Sequence, residues 1–113
     1  MRPVAVLATM MAIVLTGPAR AQSDGPQDAL YDLVSIEADH EVCGFALSDE
    51  QQEVIAQRRD TLITRGDISE AEAAAVREQV MTALQRQKAD GLCRPDGAEA
   101  RLYRRRLTDL GLL

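Results

Sequence analysis

Residues 38–50, ADHEVCGFALSDE, carry the features that decide the fold of this chain. His40 is the only histidine, and it lies three positions before Cys43, one of only two cysteines. Gly44 follows at the kind of position where helices commonly end. Ser48 is a residue type that begins helices, because its side chain can accept from a free backbone amide. The stretch therefore predicts the end of one helix, a short turn and the start of the next helix.

Apolar spacing and capping residues extend this pattern to four helices. Before the turn, positions at steps of four and three define one helical face, which consists of Ala29, Leu33, Ile36, His40 and Cys43. After it, Ser48 with Gln51 and Ser69 with Glu72 have the spacing of capping boxes, which predicts helices that end at Gly66 and near Gly91. A last helix is predicted to be capped by Asp96, with Tyr103, Leu107 and Leu110 facing inward. No segment has a clear strand pattern. The expected fold is all-α, a small three- to four-helix bundle.

The first 21 residues have the pattern of a cleaved signal peptide. Arg2 precedes an uncharged, mostly apolar run from Val4 to Leu15, and small residues stand before a cut predicted after Ala21. The run is shorter than the roughly 20 apolar residues of a membrane span. We therefore expect a periplasmic or secreted protein with a signal peptide at 1–21, a flexible leader at 22–27 and a helical domain at 28–113.

Size and charge limit the function. Removing 21 of 113 residues leaves 92, enough for one domain, and losing Arg2 and Arg20 changes the net charge from −5 to −7. An acidic domain has no general attraction for nucleic acid, because phosphate repels it. With no tryptophan and few other aromatic residues, the core is thin, and domains of this size often need a crosslink.

Cys43 has three competing interpretations. The favoured one is a disulfide with Cys93, because export leads to an oxidising compartment and both cysteines stand at predicted helix ends. The second is a metal site formed by Glu37, His40 and Cys43, whose side chains are types that zinc accepts. The third is a thiol nucleophile with His40 as its base, although the negative end of a helix disfavours the thiolate.

The last helix, in ARLYRRRLTDLGLL, is amphipathic and basic. Arg104 and Arg106 flank its apolar stripe, and Leu112 and Leu113 follow it. These four residues are candidates for docking a protein partner, and contact with a membrane is less favoured. The favoured alternative is that the stripe closes the core while the arginines neutralise neighbouring acidic helices.

No phosphate-binding loop, dinucleotide motif or nucleophile elbow occurs in the sequence, and no cofactor is implied. No catalytic constellation points to an enzyme. The leading hypothesis is a non-enzymatic exported binding or accessory protein that acts through a helix face on an envelope partner. One alternative is a periplasmic chaperone that responds to acid or stress, and another is metal handling through Glu37, His40 and Cys43.

The layout resembles that of small periplasmic helical proteins of Gram-negative bacteria, a class without a settled activity. The resemblance rests on Cys43 at the end of helix one, on RGDISEAE at 65–72 and on LCRPDGAE at 92–99. It implies a location and a helical fold with one disulfide. In its size, its expected helices and its one expected long-range disulfide, the chain is also similar to the periplasmic acid-stress chaperones.

Overall fold

The computed structural model describes residues 25–113, and the expected signal peptide and most of the leader lie outside these residues. The described chain forms four helices: α1 (Pro26–Cys43), α2 (Asp49–Thr64), α3 (Glu70–Lys88) and α4 (Ala98–Asp109). It contains no strand, so the predicted all-helical class is confirmed. Helix α1 begins at Pro26, within the segment that was expected to be leader, and proline is well suited to the first turn of a helix.

Local capping chemistry sets the starts of α2 and α3 as predicted. The Ser48 hydroxyl accepts from the Gln51 amide at 3.0 Å, and the Gln51 side chain accepts from the Ser48 amide at 2.8 Å. Ser69 and Glu72 repeat the exchange at 3.0 and 3.1 Å. Each box satisfies two amides that have no partner inside the helix.

The predicted cap of α4 is wrong by one residue. Gly97 is the residue before the helix, and no side chain caps it. The Gly97 amide donates to the Arg94 carbonyl at 3.0 Å, which places Asp96 inside the preceding turn. There the Asp96 carbonyl oxygen accepts from the Arg101 guanidinium at 2.8 Å.

Helix α1 is the centre of the bundle. The other three helices pack mainly against α1 rather than against one another. Leu33, Val34, Ser35 and Ile36 are consecutive and all buried, so α1 has more than the single inner face that its spacing predicted. The difference arises because a helix surrounded by three neighbours loses most of its circumference to contacts.

Two apolar clusters lie on different sides of α1. Mainly α1 and α3 form the first cluster, which contains Leu30, Val34, Ala38, Val42, Ile68, Val80 and Leu84. The second joins α1 to α2 and α4 and contains Leu33, Ile36, Leu47, Ile55, Tyr103 and Leu107. The predicted inward positions Tyr103 and Leu107 are confirmed as buried. Burial of these side chains supplies the main favourable term for folding.

The Cys43–Cys93 disulfide is present, as predicted. It joins the last residue of α1 to the turn before α4, with a Cα–Cα distance of 5.0 Å. Gly44 ends α1 in the left-handed conformation, with φ of 73°, while its amide donates to the His40 carbonyl at 2.9 Å. This geometry turns the chain immediately after the crosslink. Among residues 25–113, no helix has the length and apolar character that crossing a bilayer requires.

Candidate functional site

His40 is fixed by the turn that follows α1. Its Nδ1 lies 2.7 Å from the Phe45 carbonyl oxygen. Because a carbonyl only accepts, Nδ1 must carry the proton and donate it. In the neutral imidazole, Nε2 is then the acceptor. A backbone carbonyl, rather than a carboxylate, therefore orients this ring.

The three candidate metal ligands do not form a ligand group. Cys43 is bonded to Cys93, so its sulfur is not a thiolate. The Glu37 carboxylate accepts from the Arg59 guanidinium. In the part of the chain that the structure describes, no three His, Cys, Asp or Glu side chains come together as metal ligands. The same disulfide removes the thiol that a Cys43–His40 nucleophile would need.

An open groove of about 490 Å³ lies between α2 and α3, with α1 as its floor. His40 lines it, and two ion pairs connect its floor to its walls. Glu37 pairs with Arg59 on α2, and Glu41 pairs with Arg77 on α3 at 3.0 Å. Since each arginine already has a carboxylate partner and Glu70 also lines the groove, it presents no unpaired arginine for recognising an anionic ligand.

A buried ionic cluster is the main electrostatic feature that no sequence pattern predicted. Arg106 of α4 is only 13% exposed in its side chain. Its Nη1 lies 3.6 Å from an Asp39 carboxylate oxygen and 3.6 Å from a Glu99 carboxylate oxygen. Its Nε lies 3.8 Å from an oxygen of Asp32. Three carboxylates thus surround one guanidinium, which also lies over the ring of Tyr31 at 5.8 Å.

Asp39 is fully buried in this cluster. Neither of its oxygens accepts a hydrogen bond from a described residue. Burial, reinforced by the Glu99 carboxylate, raises the pKa of Asp39 to about 8 against the opposing charge of Arg106. When protonated, Asp39 can donate to Glu99, an interaction that two ionised carboxylates cannot make.

The same low-dielectric region affects two further groups. Burial raises the pKa of Tyr103 to about 12, and the Asp39 charge adds to the effect. The Tyr103 hydroxyl donates to the Ala46 carbonyl at 2.7 Å. Burial also raises the pKa of Asp32, which Arg106 partly opposes.

The outer side of α4 carries three arginines that form no ion pair with a described residue. Arg101, Arg104 and Arg105 follow one another at i, i+3 and i+4, so they share one side of the helix. All three are exposed. Within residues 25–113, none of them lies within 4.0 Å of a carboxylate oxygen, unlike Arg59, Arg77 and Arg106.

An apolar pocket adjoins Arg104, one of these arginines. Its volume is about 300 Å³, and Arg104 stands on its lining. The apolar lining consists of Phe45, Ala46, Pro95, Ala100, Tyr103, Leu107 and Leu113. Leu113 is 73% exposed, the highest value among the large apolar side chains of residues 25–113. We call this pocket, together with Arg101, Arg104 and Arg105, the α4 surface.

The four docking candidates from the sequence divide into two pairs. Arg104 and Leu113 lie on the α4 surface. Arg106 lies inside the bundle among carboxylates. Leu112 packs against the second apolar cluster, and its carbonyl accepts from the Gln51 side chain at 2.7 Å. Arg106 and Leu112 therefore make contacts within the bundle, whereas Arg104 and Leu113 are accessible to a partner.

The burial of Asp39 had only a faint signal in the sequence. Its neighbours on the helix include Ile36 and Val42, at spacings that place all three on adjoining faces. Acidic residues are common on solvated helix faces, so the spacing alone did not single out Asp39. Its counter-charge, Arg106, lies 67 positions away in sequence, beyond any local pattern.

No family model matches this chain, and no curated protein or solved structure matches it either.

Proposed function

We propose that this chain is an exported, non-enzymatic binding protein whose α4 surface holds an acidic segment of an envelope protein. The observation that carries the proposal is that an arginine without an ion-pair partner lies at the edge of an apolar pocket. Arg104 belongs to both features, since it is free of carboxylate partners among the described residues and also lines the pocket.

Charge complementarity selects an acidic partner. The whole chain has a net charge of −5, so an anionic partner is repelled by most of the molecule. Three neighbouring arginines on α4 form a local exception. Arginine binds carboxylates in a forked geometry and is frequent at protein interfaces. An acidic segment would thus be directed to this side of α4 in preference to other surfaces.

The pocket favours a peptide over a bilayer. It is a concave site of about 300 Å³, which suits one or two apolar side chains. A helix that lies on a membrane normally presents a broad apolar face. Here the apolar side of α4 is turned inward, with Ala100, Tyr103 and Leu107 buried. A protein segment with acidic residues around one apolar anchor fits these features better than a lipid surface.

The Cys43–Cys93 disulfide supports the expected location and the proposed mechanism. Disulfides persist in oxidising compartments, so the crosslink is compatible with export. It holds the turn before α4 against the end of α1, close to Phe45 on the pocket lining. A preorganised surface loses less conformational entropy on binding.

A fluorescent peptide can test the proposal. The probe is a short acidic peptide with one central leucine, and its anisotropy is followed as the disulfide-bonded protein is added. We expect saturable binding that weakens with salt. The double variant Arg104→Glu/Arg105→Glu should reduce the affinity about tenfold or more. The matched control, Arg86→Glu/Lys88→Glu on α3, makes the same change in net charge and should have a much smaller effect.

Two comparisons make the outcome decisive. Leu113→Ser should weaken binding of the leucine peptide but leave a peptide with alanine in its place unaffected. Phosphatidylglycerol vesicles test the membrane alternative. The proposal is overturned if the acidic peptide does not bind, if the two double variants lose affinity equally, or if vesicles bind while the peptide does not.

A further inference from the structure

Another cavity, separate from both the α4 surface and the groove between α2 and α3, lies on the other side of α4. It has a volume of about 170 Å³ and is lined by residues of α1, α3 and α4. Its polar lining includes Ser35, Gln87, Glu99 and Arg106, and Tyr31 and Leu102 contribute apolar surface. Because α3 and α4 make few contacts with each other, the cavity occupies the space between them above α1.

Ser35 gives the first indication that the cavity accommodates a polar group. The residue is only 2% exposed, and its hydroxyl has no hydrogen-bond partner among the described residues. A buried hydroxyl without a partner costs free energy, and such groups are usually satisfied by protein, water or ligand. A group that enters the cavity and donates a hydrogen bond would satisfy the Ser35 oxygen.

The charge balance indicates the sign of that group. Arg106 is the one cation among three carboxylates, those of Asp32, Asp39 and Glu99, all within 3.8 Å of its guanidinium. Even when Asp39 is protonated, the carboxylates of Asp32 and Glu99 face the single Arg106 guanidinium, so this half-buried region carries excess negative charge. Buried charges need a compensating partner, and here a second cation would provide it. Glu99 lines the cavity, so its carboxylate is the nearest acceptor for such a cation.

The rim of the cavity suits an alkyl stem. Tyr31 is 48% exposed and Leu102 is 37% exposed, which makes them two of the three large apolar side chains exposed within residues 25–113. They flank an interior that is also apolar on the α3 side, at Val80 and Leu84. A cation with a short hydrocarbon chain would bury that chain against these residues and direct its charge to Glu99.

We propose that the cavity between α1, α3 and α4 binds a primary ammonium group on a short alkyl stem, with Glu99 and Ser35 as its acceptors. The volume corresponds to about six water molecules, at roughly 30 Å³ each, which is similar to the size of such a group. A free alkylamine and the lysine side chain of a protein both present this chemistry.

Calorimetric titration of the full chain with n-butylamine tests the site. We expect saturable binding in the millimolar range, and n-butanol, which has the same stem without the charge, should bind about tenfold more weakly. Glu99→Gln should abolish the preference for the amine. The matched control, Glu78→Gln on the exposed face of α3, should leave it unchanged. If Glu99→Gln does not fold, Ser35→Ala serves in its place and should weaken amine binding severalfold.

A proton readout separates the proposed site from nonspecific ion pairing. Glu99, Arg106 and Tyr103 are titratable groups that interact with Asp39, and Asp32 pairs with the same Arg106. An added cation should lower the raised pKa of Asp39 and release protons, so the heat at pH 7.5 should depend on the ionisation enthalpy of the buffer. Asp39→Asn should remove that dependence.

The source of the ammonium group is distinguished by comparing n-butylamine with a blocked tripeptide that has lysine at its centre. Tighter binding of the tripeptide indicates a protein lysine, and tighter binding of butylamine indicates a free amine. The proposal is overturned if butanol binds as well as butylamine, if Glu99→Gln retains the preference for the amine, or if neither amine binds at about 10 mM.

Discussion

The Arg106 guanidinium on α4 lies 3.6 Å from the carboxylate of Asp39, which is completely buried on α1. The pair connects the last helix to the central helix by charge, in addition to the apolar contacts of Tyr103 and Leu107. Buried ion pairs contribute little net stability compared with apolar replacements, but removal of one partner is costly. The pair thus makes the position of α4 sensitive to the protonation of Asp39.

Acidification from pH 8 to about pH 4 should stabilise the fold through Asp39. The folded-state pKa is raised to about 8 from its ordinary value of 3.8, so the folded chain binds an additional proton in this interval. Stability therefore rises as pH falls. Asp39→Asn should be more stable than the unmodified chain at pH 8, by roughly 1–3 kcal/mol, and should lose this pH dependence. Urea denaturation at several pH values measures both effects.

The direction of this pH effect also bears on the acid-responsive chaperone hypothesis. A chaperone that is activated by acid unfolding should lose stability on moderate acidification, whereas protonation of Asp39 acts in the opposite direction. Asp39 is assigned here as the group that dominates the pH dependence of stability. That assignment would be contradicted if the free energy of unfolding fell between pH 8 and pH 5 in both the unmodified protein and Asp39→Asn.

Arg106→Met should destabilise the protein because it leaves the surrounding carboxylates without their counter-charge. We expect a loss of about 3–5 kcal/mol at pH 8. The loss should be smaller in the Asp39→Asn background, where one of the negative charges is gone. The exposed neighbour Arg105 provides the control, since Arg105→Met should change stability by no more than about 0.5 kcal/mol. Additive effects of Arg106→Met and Asp39→Asn would argue against direct coupling.

The disulfide should contribute about 4 kcal/mol, because it closes a loop with a sequence separation of 50 in the unfolded chain. Cys43→Ser, Cys93→Ser and the double variant should therefore lose similar stability, and reduction of the unmodified protein should reproduce the loss. Denaturation curves measure the change, and thiol titration of the native protein should find no free sulfhydryl. Reactive thiols in the native protein, or unequal single variants, would contradict this expectation.

Tyr103→Phe should cost about 1 kcal/mol, because it removes the hydrogen bond to the Ala46 carbonyl while retaining the ring. The ring packs 5.2 Å from that of Phe45, measured between centroids, and this contact remains in the variant. Tyr31 is half-exposed, so Tyr31→Phe is a suitable comparison and should have little effect on stability. Equal losses in the two variants would mean that the Tyr103 hydroxyl bond contributes nothing specific.

The sequence predicted the parts of the fold that depend on local chemistry. The two serine capping boxes, the glycine stop after α1 and the inward positions Tyr103 and Leu107 all follow from interactions within a few residues. The disulfide was also accessible, because only two cysteines had to be paired.

The remaining features depend on long-range contacts. No local pattern shows that Asp39 is buried or that Arg106 turns inward, since their positions are set by how α4 packs on α1. Long-range packing also decides which docking candidates are accessible. Leu112 packs against the second apolar cluster, whereas Leu113 is exposed. The α4 cap was missed for a different reason, namely that the preceding turn closes one residue later than the preference for Asp96 suggested.

The most direct test of the proposed function is a nuclear magnetic resonance titration of the ¹⁵N-labelled protein with the acidic, leucine-containing peptide. The α4 surface predicts that amide shifts concentrate at Phe45, at residues 100–107 and at Leu113, and that Arg104→Glu/Arg105→Glu reduces them. Shifts centred on His40, Arg59 and Arg77 would place binding in the groove between α2 and α3. That result, or the absence of any saturable shift, would contradict the account.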